Sequence, residues 1–282
     1  MDVFWNKSIK KITDICSMPF IRQFTIDRGN RRAFPFNVPA VMHANNIVLP
    51  DAITIFVGDN GSGKSTLLES LACKLRLFGI GGAIDMADAG YEAAREISPH
   101  LEISWQREHR TGGFFFRAED FSDFLRAVDR ERVKIEQDLS ELKGQVDDRI
   151  IRQMEQSMNG RLMDMRHGYG DNMQAYSHGE AFLKILETRM RHKGIFLLDE
   201  PESALSPMRQ LSLMAMLLQL VAKGNAQFII ATHSPILMGL PGATIYQIDN
   251  EGINQVAYRE TTHYSITKNF LDNPESFLRY LV

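Results

Sequence analysis

The stretch Gly58-Asp59-Asn60-Gly61-Ser62-Gly63-Lys64-Ser65-Thr66 contains the eight-residue pattern G-x-x-x-x-G-K-[ST] followed by a threonine. Glycines at this spacing let a backbone wrap around an anion with its N–H groups turned inward, and a helix starting at the end of the loop adds partial positive charge. Lys64 can then reach the β- and γ-phosphates of a nucleotide, and the Ser65 hydroxyl can ligate Mg²⁺. Gly58, Asn60, Gly61, Ser62, Gly63, Lys64, Ser65 and Thr66 are therefore candidate nucleotide contacts. A second group follows downstream, where the apolar run Ile195-Phe196-Leu197-Leu198 leads into Asp199-Glu200. Two carboxylates at the end of a buried strand suit two tasks. Asp199 would hold the metal, and Glu200 would orient or deprotonate an attacking water. Together these residues point to MgATP as ligand and hydrolysis as reaction.

Such groups work only if strands and helices deliver them to one place. Ile53–Val57 is a β-branched and aromatic run that ends in glycine, and it predicts a buried strand leading into the loop. Ser65–Phe78 has apolar residues at helical spacing, with the glycines of residues 79–82 as its stop. Leu101–Trp105 and Gly113–Phe116 predict further strands. Glu180–Arg191 and Met208–Ala222 predict helices, and Ile195–Leu198 and Gln227–Ala231 predict buried strands. Phe20–Asp27 alternates as an outer strand does, and Arg28-Gly29-Asn30 reads as a turn. The tail from Ile245 reads as a strand pair with a closing helix. Alternating strands and helices imply an α/β fold with a mostly parallel sheet covered on both faces. The whole chain, 1–282, is expected to form one domain. A charged helical subdomain at about 118–176 would be inserted between its two halves.

Composition narrows the classes. Apolar residues make up 44 % and charged residues 24 %, as in ordinary globular chains. Lys plus Arg is 32 against 35 for Asp plus Glu, giving a net charge of −3, so a generally basic nucleic-acid binder is not indicated. Two cysteines, Cys16 and Cys73, make no disulfide framework and are read as reduced thiols of a cytoplasmic protein. The N-terminus lacks the apolar core of a signal peptide. The longest greasy stretch, 211–222, is too short to span a bilayer, so no direct membrane insertion is expected.

Further motifs carry a family resemblance. Ser177-His178-Gly179-Glu180, after Tyr176, resembles the signature motif of the ATP-binding cassette (ABC) ATPases, usually written LSGGQ, and 20 residues separate Gly179 from Asp199. Thr232-His233-Ser234 follows the strand QFIIA where this family carries its switch histidine, and Ser203-Ala204-Leu205-Ser206 falls where its D-loop lies. The four matches occur in family order over residues 20 to about 250. The resemblance implies a P-loop NTPase fold of ABC type, with N-terminal antiparallel strands beside the parallel core. It also implies an ATP-dependent homodimer, in which each nucleotide lies between the P-loop of one subunit and Ser177 and Gly179 of the other. His233 would hydrogen-bond the γ-phosphate and hold the water.

The sequence departs from the LSGGQ form at Tyr176, His178 and Glu180. The stretch from Asp199 to Pro207, DEPESALSP, resembles the soluble SMC, RecF and OLD kind, among stand-alone chains classed as AAA-family ATPases, more than transporter cassettes. The family's Q-loop position falls to Gln106 or Glu119, and Glu119 is taken by position as a further metal-site residue. Phe34 and Phe36 are candidates for the aromatic that stacks on adenine. The expected function is thus a soluble ABC-type ATPase working with DNA or a separate effector protein in DNA-related or defence-type processes. The alternative is the nucleotide-binding subunit of an ABC transporter.

Overall fold

The structure, a computed structural model, describes residues 18–79, 82–83, 89–107, 112–121, 178–190 and 192–279 and the isolated positions 124, 126, 130 and 137. The strands are β1 (Ile21–Ile26), β2 (Ile47–Val48), β3 (Ile53–Gly58), β4 (Phe78–Gly79), β5 (Gly82–Ala83), β6 (Leu101–Trp105), β7 (Gly113–Arg117), β8 (Gly194–Asp199), β9 (Ala226–Ala231), β10 (Thr244–Ile248) and β11 (Ile253–Val256). The helices are α1 (Pro39–Met42), α2 (Lys64–Leu75), α3 (Glu92–Ile97), α4 (His178–Arg189), α5 (Pro207–Ala222), α6 (Pro235–Met238), α7 (Thr262–Asp272) and α8 (Pro274–Leu278). The main sheet has the order β11-β10-β3-β9-β8-β7-β4-β5. Its pairings from β10 to β4 are parallel, and β11 and β5 join antiparallel at the edges. A smaller antiparallel sheet, β2-β1-β6, lies beside it.

The unbroken apolar runs of the central strands have a direct cause. Alternate residues feed two cores, one on each face. Phe56, Ile195, Leu197 and Ile229 face the core shared with α2 and β1, while Val57, Phe196, Leu198 and Ile230 face the core under α4 and α5. Phe182 of α4 packs edge-on against Phe116 at 4.8 Å and Phe121 at 5.3 Å, fixing that helix to the end of β7. Buried Tyr246 and Gln227 tie the two sheets, Tyr246 by donating its hydroxyl to Val48 O at 2.7 Å. Gln227 Oε1 accepts from the N–H groups of Phe20 and Ile21, and Gln227 Nε2 donates to Ile21 O.

The predicted helix over 65–78 ends sooner, at Leu75. Arg76 turns into the left-handed region (φ 53°), and Phe78 leaves to pair with Phe114 of β7. Phe34–Phe36 forms a loop, as its prolines require, ahead of α1. The expected helical subdomain at about 118–176 lies outside the described residues apart from 118–121 and the isolated positions.

Candidate nucleotide site

Parallel strands expose their C-terminal ends along one edge, and the chemistry gathers there. β3 ends in Gly58, β8 in Asp199, and β9 runs into Thr232-His233. Phe56, Ala231 and Asp199 are level in the register, so the loop after β3 opens beside both other strand ends. The loop itself needs its glycines. Gly61 and Gly63 adopt left-handed backbone at φ 81° and 88°. A Cβ on Gly63 would meet Val38 Cγ2 at 2.9 Å, and one on Gly58 would meet Ile248 O at 2.5 Å. Gly63 is the N-cap of α2 and brings no capping side chain. The first intrahelical bond runs from Leu67 N–H to Gly63 O, which leaves the first-turn donors to an anion.

Lys64 folds back over this cradle. Its ammonium donates to Gly58 O at 2.8 Å and Asp59 O at 3.0 Å, and the residue is buried. Burial pulls its pKa down, opposed by Glu200, Asp199, Asp59 and Glu202, which favour the charged form.

Asp199 is 3 % exposed, and burial lifts its carboxyl to about 7. A hydrogen bond from Ser65 and the charge of Lys64 pull it down, while Glu69 and Glu200 push it up. Its Oδ1 has no hydrogen-bond partner among the described residues. A buried carboxylate left half satisfied beside a hydroxyl fits a hard divalent cation. Mg²⁺ is held by few protein oxygens and takes its remaining ligands from phosphates and water.

Glu200 sits at φ 48°, ψ 49°, a left-handed conformation that non-glycine residues rarely adopt. It is held there by its neighbours: Glu200 N–H donates to Ala231 O at 2.9 Å, and Ser203 Oγ donates to Glu200 O at 3.0 Å. Its carboxylate faces His233, with Oε1 3.6 Å from Nε2. Burial and the nearby Lys64 lower the His233 pKa.

Several site residues have no motif to announce them. Glu202 Oε1 accepts from the N–H groups of His233 (2.7 Å) and Ser234 (3.2 Å), so the turn after β8 sets the loop after β9. Glu69 of α2 is a buried carboxylate pushed up to about 7 by burial, against the ion pair it makes with Arg117 at 3.0 Å. Arg117 ends β7 level with Asp199, also binds Asp120 at 2.7 Å, and lies over the Tyr91 ring. Within the sequence, only the acid among Leu67, Leu68, Ser70 and Leu71 hints at this network. His263, at the first turn of α7, donates to or accepts from His233, with its Nε2 2.9 Å from His233 Nδ1.

The remaining expected residues are distributed as follows. Asn60 is exposed at the loop tip, Ser62 is buried, and Ser65 and Thr66 lie in the first turn of α2. Glu119 is exposed just past β7. Gly179 is buried near the start of α4, where a Cβ would strike Arg209 Cδ at 2.6 Å. Ser177 lies outside the described residues, and α4 begins at the next residue. Phe36 is a core residue against His100, while Phe34 is exposed.

The family model described as ABC transporter matches residues 43–203, more than half of the chain, and the chain belongs to that family. With it come an ATP-binding cassette, the ABC-type P-loop fold and the activity of an ATP hydrolase. The probable siderophore transport system ATP-binding protein YusV of Bacillus subtilis (strain 168) is 24 % identical over 189 residues, 67 % of this chain and 64 % of that protein. The match thus spans less than two thirds of the length of this curated relative. Among solved structures, the chain is similar to the ADP conformation of MJ1267, an ATP-binding cassette of an ABC transporter. That likeness has 16 % identity and a TM-score of 0.39, over 84 % of this chain and 90 % of that one. It is also similar to an SmcHead bound to the C-winged helix domain of ScpA (14 % identity, TM-score 0.44, 84 % and 97 % covered). Among the described residues no helix is long and apolar enough to cross a membrane.

Proposed function

We propose that the chain is the nucleotide-binding subunit of an ABC transporter, an ATPase whose cycle drives a separate membrane-embedded partner. The observation that carries the chemistry is the convergence of Lys64, Asp199, Glu200 and His233 at three adjacent strand ends. The choice of partner is supported by the family match and by the name of the curated relative.

In this reading the backbone of Gly58–Thr66 cradles the phosphates and Lys64 leaves its carbonyl partners for them. Ser65 and Asp199 hold Mg²⁺, with Glu119 as a further residue on that side, and the ion supplies charge neutralisation on the phosphate oxygens. Glu200 orients the attacking water and takes its proton. His233 hydrogen-bonds the γ-phosphate. Two copies close around two nucleotides, each finishing the other's pocket with Ser177 and the start of α4, and hydrolysis opens them again.

A second reading is a stand-alone ATPase of the SMC, RecF or OLD kind, acting on DNA or an effector protein. The D-loop form favours it: Ser206 and Pro207 start α5 as N-cap and first helical residue, giving the stretch the DEPE-x-x-L-x-P form.

The Glu200→Gln variant tests both. It should keep ATP binding and lose turnover by roughly 10²-fold or more, the usual contribution of a general base. Light scattering should then find an ATP-dependent dimer. A monomer at saturating ATP refutes the sandwich. Retention of duplex DNA by the ATP-bound dimer, without ATP-dependent recovery in the membrane fraction, replaces the first reading with the second.

A further inference from the structure

The helix α7 reaches the nucleotide site through His263, and that contact has a direction. His263 Nε2 and His233 Nδ1 are 2.9 Å apart, with ring centroids at 5.1 Å. The start of α7 is clamped to deliver His263 there. Thr261, fully buried, caps the helix by accepting from Tyr264 N–H, and Thr262 N–H donates to Gln247 Oε1. Tyr264 packs on Tyr258, whose hydroxyl donates to Pro235 O in the turn that follows His233.

One proton lies between two neutral rings, and it has two homes. If His233 Nδ1 carried it, His233 Nε2 would be bare and would turn a lone pair toward the Glu200 carboxylate, 3.6 Å away. His263 would then carry its own proton on Nδ1, which is buried and without a hydrogen-bond partner. If instead His263 Nε2–H donates, His233 carries its proton on Nε2, which also lacks a hydrogen-bond partner but faces the Glu200 carboxylate at 3.6 Å, and His263 Nδ1 is left as a bare acceptor. Either tautomer leaves one buried N–H without a hydrogen bond, so the Glu200 carboxylate decides between them: it attracts an N–H and repels a lone pair. Burial and the charge of Lys64 lower both imidazole pKa values, which keeps both rings neutral.

We propose that His263 is a positioning residue that donates from Nε2 to His233 Nδ1 and so fixes His233 as the Nε2–H tautomer, a donor aimed into the γ-phosphate side of the pocket. The tautomer follows from the other bond the ring makes, as it does wherever a site histidine is oriented by a partner. This rests on the reading of His233 as the γ-phosphate contact. The first turn of α7 thereby becomes part of the hydrolytic site.

The test combines nitrogen NMR with kinetics on the full chain. With ¹⁵N-histidine labelling, and His233→Ala to assign the signals, His233 should show a protonated Nε2 and a bare Nδ1. His263→Ala should lower kcat about 10- to 100-fold, the range lost when a group orienting a site histidine is removed, with KM for ATP held by the phosphate loop. His263→Gln, whose side-chain amide can donate to Nδ1, should recover most of that loss. A His233 proton on Nδ1 overturns the proposal. So does wild-type kcat in His263→Ala when His233→Ala has lost turnover, or a loss in His263→Gln as deep as in His263→Ala. If His233→Ala itself turns over at the wild-type rate, the γ-phosphate reading fails instead, and the nitrogen spectrum alone decides the tautomer.

Discussion

Asp199→Asn should make the metal-free protein more stable at pH 8, although it removes a proposed metal ligand. Burial holds the Asp199 carboxyl at about 7 against an ordinary value of 3.8. Ionising it inside the fold therefore costs on the order of 4 kcal/mol relative to the unfolded chain. The sign follows from proton counting. Between about pH 4 and pH 7 the native state binds the extra proton, so stability falls as pH rises through that window and stays low above it. Asn has the same shape without the charge, but its amide needs a partner. A net gain of roughly 2 to 4 kcal/mol at pH 8 is expected, about 3 to 7 °C in Tm for a chain of this size. At pH 4.5, with the native carboxyl protonated, the two proteins should melt nearly together. Calorimetry in EDTA at both pH values measures this directly. An equal gap at the two pH values, or an Asn variant that melts lower at pH 8, refutes the claim that Asp199 is a strained charge awaiting a cation.

Arg117→Met leaves Glu69 buried and unpaired; it should cost about 3 to 5 kcal/mol at pH 8 by chemical denaturation. Much of that should return in the double variant Glu69→Gln, Arg117→Met. Glu200→Gly should be more stable than Glu200→Ala by about 1 kcal/mol in the same assay, because only glycine takes φ 48° without strain; equal midpoints would mean that the backbone relaxes once the glutamate is gone.

What the sequence made legible was local. The loop 58–66 carries its own conformational signature, since glycines at 61 and 63 serve left-handed positions that the pattern implies. The strands before Gly58, Asp199 and Thr232 are buried on both faces, and such strands advertise themselves as short, unbroken apolar runs. The helix over 64–75 was legible in its body but not in its end. Leu77 and Phe78 continue the apolar pattern, yet strand pairing with Phe114 takes Phe78 away, and pairing between distant segments leaves no periodic trace. The sequence leaves Phe36 either as an adenine-stacking candidate or as a core or edge residue, and its ring is committed to the core.

The residues missed share one physical property: each acts by touching a segment far off in the chain. In the sequence Glu202 stands out only as one letter of the stretch DEPESALSP. Its Oε1 receives two N–H groups from the loop bearing His233, about 30 residues on, and burial raises its pKa against those bonds. The turn that carries Glu200 and the loop that carries His233 therefore move as one piece, since separating them would strand a buried carboxylate. His263 extends the same unit to α7. Glu69 and Arg117 do the corresponding work on the other side, joining the helix after the phosphate loop to the end of β7. The candidate site is thus held by two polar brackets, Glu202–His233–His263 and Glu69–Arg117–Asp120, flanking the Asp199–Ser65 pair. A nucleotide that draws Lys64 off its carbonyls meets a frame set on both sides, and the mobile parts of the cycle must lie outside these brackets.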